Sequence, residues 1–329
     1  MPQFESFIDQ KRPNQILSAF LRKGNIPHAL LFYGPPGVGK RTTAMLFAKA
    51  CNCLHRTSEA GYRIPCGDCR SCRKIASENH PDVIYIRPAG AVIRITQIRE
   101  LSATLSLKPY EAKTRAVIIA DAHSMNTEAG NALLKVLEEP PDHTIIILTT
   151  DQPLDLLPTV LSRCQQIRFK PLAMNTVKNL LIDKQKVEPE TAQIIATMAN
   201  GSFSRAMEMS KSNWIKRRRW LLAEMRTVSQ KPVGSILALA ESLSKDRGFL
   251  PDAFYIINTW FRDLLVYKWS PQRIVNKDLT DSVRYDSQRL SAASLYLKIK
   301  FVQNAQKDIL RNANVRLALE SLMVRLSHD

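Results

Sequence analysis

The stretch GPPGVGKRTT at residues 34–43 has the residue types and spacing of a loop that cradles nucleotide phosphates. Gly34, Gly37 and Gly39 let successive backbone N–H groups turn toward phosphate oxygens, beside the positive end of a helix. Lys40 stands where a side chain bridges the terminal phosphates. The next position normally carries Ser or Thr, whose hydroxyl holds magnesium; here it is Arg41, which offers a metal no acceptor. Thr42 lies one residue further on, about 100° around a helix, and does not replace it. These residues predict nucleotide binding through backbone and Lys40, without the equipment for magnesium-dependent hydrolysis. A second departure lies at the end of the apolar run AVIIADAH. Asp121 stands where a phosphate-loop enzyme keeps a metal-organising aspartate. The Glu that would polarise water after it is replaced by Ala122, and His123 reads as a surface or packing histidine.

A different chemistry gathers between residues 51 and 75. The segment IPCGDCRSC sets Cys66, Cys69 and Cys72 at the spacing of metal ligands. A closed tetrahedral zinc site needs a fourth thiolate. Cys51 falls on the apolar face of the preceding helical pattern; Cys53 falls just past its end and is the ligand chosen, with Cys51 as its rival. An iron–sulfur cluster would want a further cysteine and a proline after Cys72, and Arg73-Lys74-Ile75 supplies neither. Four thiolates leave no open coordination position, so the expected role is structural. The first residues, MPQFESFIDQ, contain acids and no apolar run, so no secretion signal is expected and the setting reads as cytoplasmic.

The elements that must position these residues are legible in the apolar pattern. Five short runs, at 29–33, 82–86, 116–120, 144–148 and 165–169, alternate with amphipathic stretches. In one such stretch Ala44, Phe47, Ala48 and Cys51 share a helical face; in another Met125, Ala129, Ala132, Leu133, Val136 and Leu137 do, until Pro140-Pro141 ends it. Apolar strands alternating with helices predict an α/β domain with a parallel sheet covered on both faces. Beyond Pro171 only helices are expected, three short ones to about residue 210 and longer ones thereafter. The basic run WIKRRRW, residues 214–220, reads as a helix whose two tryptophans pack inward while Lys216 to Arg219 are solvated. A formal charge of +17 favours acidic partners, nucleic acid first among them. No apolar stretch approaches the ~18 residues of a membrane span.

With these residues in hand, the chain resembles the bacterial DNA polymerase III clamp-loader subunits of the AAA+ family over most of its length. The resemblance is carried by GPPGVGK, by CGDCRSC with ENHPDV, by MNTEAGNALLKVLEEPP, by LTTDQPLDLLPTVLSRC and by NVRLALESL. It implies an AAA+ domain with a zinc-bearing insertion over 1–170, a helical lid over 171–212 and a helical collar for oligomerisation over 213–329. Family members are of two kinds: ATP-hydrolysing gamma or tau motors, and a delta-prime kind that does not hydrolyse. Lys40-Arg41 and Asp121-Ala122 depart from the motor pattern. So does the lid segment Gly201-Ser202-Phe203-Ser204-Arg205, where Ser204 takes the place of a sensor arginine. The expectation is therefore a delta-prime-type stator, with ATP held at most and not hydrolysed; the alternatives are an active gamma/tau-like ATPase and a free-standing nucleic-acid-binding module. In the family, the Arg of LSRC reaches into a neighbour's ATP site, which makes Arg163 an arginine finger acting in trans. Thr149 and Thr150 stand at the family's fourth-strand sensor. The implied partners are gamma/tau and delta subunits, the sliding clamp and primed DNA, with no membrane.

Overall fold

The computed structural model describes residues 9–55, 57–59 and 62–328. Residues 1–8, on which the reading of the start of the chain rests, lie outside them. The chain divides into two units: residues 1–180 with 199–206, and residues 181–198 with 207–329.

The first unit is built on a parallel sheet. Its strands are β1 (Ala29–Tyr33), β4 (Val83–Ile86), β5 (Arg115–Ile119), β6 (Thr144–Thr150) and β7 (Gln165–Arg168), in the order β4-β5-β6-β1-β7. All five coincide with the runs read from the sequence, within a residue or two. A separate antiparallel pair, β2 (Thr57–Glu59) and β3 (Tyr62–Ile64), lies between the cysteines. The central strands β5 and β6 are buried along their whole length, the reason their sequences are apolar without alternation. Successive side chains serve opposite faces. Leu31, Val117, Ile119, Ile146 and Leu148 meet helices α4 (Ile95–Leu105), α5 (Thr127–Glu138) and α6 (Pro158–Arg163). Leu30, Phe32, Ile118 and Ile147 meet α1 (Lys11–Lys23), α2 (Lys40–Asn52) and α3 (Arg70–Ala76). β1 lies between β6 and β7, so the loop after Tyr33 opens at the carboxyl end of the sheet, where parallel α/β sheets bind ligands. Helix α7 (Met174–Gln185) begins in this unit, and the turn at 199–206 returns to it.

Among its described residues the second unit is helical: α8 (Pro189–Met198), most of α9 (Phe203–Lys211), α10 (Trp214–Thr227), α11 (Val233–Lys245), α12 (Leu250–Tyr267), α13 (Thr280–Arg289), α14 (Ala292–Leu310) and α15 (Val315–Ser327). Helix α11 packs on α15, and α12 on α10, α13 and α14. The basic run in α10 departs from its sequence reading. Trp214 is buried but Trp220 is exposed, and Arg218 is fully buried. Residues six apart on a helix lie about 240° around it, so both tryptophans cannot share one face. The inward row is Trp214, Arg218, Leu221, Leu222 and Met225. Arg218 is accommodated because it grips Asp278 with two bonds of 2.7 and 2.9 Å and Asn276 with one of 2.6 Å. Asn276 is held in turn by the buried Asp263, which accepts its backbone N–H at 2.7 Å and its side-chain amide at 2.8 Å.

Candidate functional site

The phosphate-type loop joins β1 to α2. The Lys40 ammonium is drawn back along it and donates to the carbonyls of Gly34 at 2.6 Å and Pro35 at 2.7 Å. One N–H of its three is thereby left for an anion at the loop's mouth. Gly39 ends the loop; its carbonyl accepts Thr43 N at 2.8 Å and the Thr43 hydroxyl at 2.9 Å, which starts α2 tightly. Burial lowers the Lys40 pKa from its ordinary value, while the carboxylates of Asp151 and Asp121 oppose the shift. Gly37 meets the start of α9: its carbonyl accepts Phe203 N at 3.0 Å, and a Cβ there would stand 2.1 Å from the Ser202 hydroxyl. With φ at +72°, this position requires glycine on two counts. Ser204 sits beside it, its backbone N 3.5 Å from the Gly37 carbonyl.

Position 41 faces away from this chemistry. The Arg41 guanidinium lies at the surface, 2.9 Å from Glu78, and Arg87 pairs with the other oxygen of the same carboxylate. The residue that replaces the hydroxyl is thus employed in a surface ion-pair cluster. Asp121 lies two residues past the end of β5, in a left-handed conformation, and is exposed. His123 is half-buried, its Nδ1 3.2 Å from the Thr150 hydroxyl and 3.3 Å from Asp151. Thr150 also accepts Gln152 N at 3.0 Å. Thr149 and Thr150 are both buried in the sheet. Asp151 is the neighbour that the sequence reading missed; it directly follows Thr150 at the end of the fully buried β6.

Arg163 is the last residue of α6 and is exposed. Its guanidinium reaches Glu138 at 2.7 Å, the Thr159 carbonyl at 3.1 Å and the Ser162 hydroxyl at 3.5 Å. It stands apart from the chain's own phosphate loop in sequence and element, and no bond among the described residues joins the two.

The cysteines form a second site. The sulfur atoms of Cys53, Cys66, Cys69 and Cys72 all lie within 4.8 Å of one another; Cys51 is not among them. It packs instead against the core beneath α2. A tetrahedral zinc with Zn–S bonds near 2.3 Å needs sulfurs about 3.8 Å apart, so this donor set fits zinc. Backbone N–H groups already point at sulfur: Cys66 N at Cys53, Cys69 N at Cys66 and Cys72 N at Cys69, at 3.3 to 3.4 Å. Burial works against a Cys69 thiolate, yet N–H donors from Cys72 and Leu54 outweigh it and bring its pKa to about 6. Burial pushes the thiols of Cys53 and Cys72 upward. Behind this module the buried Asp82 accepts the backbone N–H groups of Tyr110, Glu111 and Ala112 at 2.7 to 2.8 Å. No helix among the described residues is long and apolar enough to cross a membrane.

Residues 9–173 match the family profile described as DNA polymerase III, delta subunit, and residues 212–328 match the profile for the C-terminal part of that subunit. A Bacillus subtilis protein, DNA polymerase III subunit delta', is 31% identical over 322 residues, which is 96% of each chain. The delta' subunit of Pseudomonas aeruginosa is 28% identical over 91% of each chain. Subunit tau of Bacillus subtilis is 29% identical over 98% of this chain, which spans only 61% of tau's length. Among solved structures, a DNA polymerase III gamma-subunit-related protein from Thermotoga maritima superposes with a TM-score of 0.44 at 17% identity, covering 94% of this chain and 98% of the other.

Proposed function

The chain belongs to the delta-prime subunit family of DNA polymerase III, and on that premise we propose that it acts in a clamp loader as the subunit that does not hydrolyse ATP. In this reading residues 1–170 form the AAA+ domain, 171–212 the lid and 213–329 the collar that joins gamma/tau and delta subunits. The assembly loads the sliding clamp onto primed DNA. The observation that carries the reading is position 41. Where hydrolysis wants a hydroxyl on magnesium, the chain has a guanidinium committed to Glu78 at the surface. Ala122 and Ser204 stand at two further positions where turnover needs functional side chains. The intact loop, with Lys40 fastened to Gly34 and Pro35, still suits nucleotide phosphates through Gly34, Gly37, Gly39 and Lys40, with Asp121 nearby.

Arg163 has the converse assignment. It acts on a neighbouring subunit's ATP, where a positioned guanidinium stabilises transition-state charge by roughly 10³–10⁵ in rate. Its exposure at the end of α6 supports that role. Cys53, Cys66, Cys69 and Cys72 would hold a zinc ion, whose contribution when bound is a four-thiolate staple with no open position. The test is steady-state ATP hydrolysis by the purified chain with magnesium, alone and with primed DNA, against Lys40→Ala. Turnover no greater than that control is expected. Turnover that Lys40→Ala abolishes would make the chain a motor and overturn the reading.

A further inference from the structure

We propose that Glu138 is the positioning residue for Arg163, holding the guanidinium in the pose in which it meets the neighbour's phosphates; this rests on the trans role given to Arg163 above. The two ends of the arginine fork are tied to different elements. One Nη donates to the Thr159 carbonyl, one turn back in its own helix, at 3.1 Å. The other reaches Glu138, at the end of α5, at 2.7 Å. A long side chain fixed at two points has lost most of its rotamer freedom before any partner arrives. The guanidinium carries five N–H donors, and these contacts leave others for a phosphate.

The pair depends on how closely two helices approach. Helix α5 is anchored by Ala129, Leu133, Val136 and Leu137, and α6 by Val160, all in one core. Between them Gly130 lies directly under Leu157: a Cβ on Gly130 would come within 2.8 Å of the Leu157 Cδ1. That contact sets the spacing of α5 and α6, and the spacing delivers Glu138 to Arg163. Helix α5 ends at Glu138, two residues before Pro140-Pro141, so the carboxylate stands at a firm terminus.

The experiment uses the loader reconstituted with its ATP-hydrolysing neighbour and compares wild type, Glu138→Gln, Glu138→Asp, Arg163→Lys and Arg163→Ala for kcat and for the KM of ATP. For a half-exposed pair the expected loss in kcat with Glu138→Gln is about fivefold, with KM unchanged, and Glu138→Asp should recover part of it. Raising salt should shrink the gap between wild type and Glu138→Gln, a response that a packing defect would not give. Gly130→Ala should lower kcat in the same way, through α6. A normal or raised kcat in Glu138→Gln, with Arg163→Ala strongly impaired, would overturn the positioning role and leave the finger standing. A normal rate in Arg163→Ala would remove the finger and this inference together.

Discussion

At the scale of single residues, the chain keeps polar groups whose partners come from distant segments. Asp82 shows it best. It is buried, and three backbone N–H groups with Arg115 nearby hold its pKa below the ordinary carboxylate value although burial pushes the other way. A depressed carboxylate stabilises the fold above its unfolded pKa, and that stability is lost as pH falls through the folded value. Wild type should therefore lose stability below about pH 4, and Asp82→Asn should flatten that acid limb while costing about 3 kcal/mol at neutral pH. Urea melts of both proteins from pH 7 to pH 3 read both effects. An Asp82→Asn melt as pH-dependent as wild type would assign the acid sensitivity to other groups. Arg41 behaves differently. Its pair with Glu78 is exposed and shared with Arg87, so Arg41→Ala should change stability by less than about 1 kcal/mol.

At the scale of elements, the central strands were readable because each is a short, largely apolar run, and burial on both faces demands that, whereas the edge strand β7 buries only Ile167. Helix starts were less so. The helix expected from Met125 begins at Thr127, because the Asn126 side chain accepts Ala129 N and caps it there. The cysteine spacing foretold three members of the sulfur cluster, and the helix end near Asn52 favoured Cys53 as the fourth. Glu138 and Asp151 were not legible, since each gains its meaning from a strand or helix remote in sequence. Arg218 is legible from periodicity, because the row through Trp214, Leu221 and Met225 includes it, while its charge points the other way. The elements carry two predictions. Metal analysis should find one zinc per chain, and a chelator should lower the melting temperature of wild type but not of Cys72→Ser; equal shifts in both would show that the cluster is not a metal staple. Gly37→Ala, with a positive φ and no room for a Cβ, should destabilise by about 1–3 kcal/mol in the same assay.

At the scale of the whole molecule, the +17 charge is not laid out as one free surface. Arg218, Arg217 and Arg226 are engaged with Asp278, Asp246 and Asp286 inside the helical unit. Arg218→Ala should cost about 3–5 kcal/mol, as expected when a buried charge network loses one side, and should unfold the helical unit at lower denaturant than the sheet unit. A single coincident transition at the wild-type midpoint would show the network to be dispensable. The proposed function adds its own expectation: the isolated chain should bind primed DNA weakly, and the reconstituted loader strongly with a steep salt slope. The surface cluster of Arg41, Glu78 and Arg87 bears finally on reversibility. Restoring a threonine at position 41 would supply one hydroxyl and nothing at Ala122 or Ser204, while taking from Glu78 one of its two cations. On the reading proposed above, hydrolysis is thus several changes away, and Arg41→Thr alone should yield no turnover. In that reading position 41 serves a surface ion-pair cluster, so one substitution there gives up a contact without completing a catalytic site.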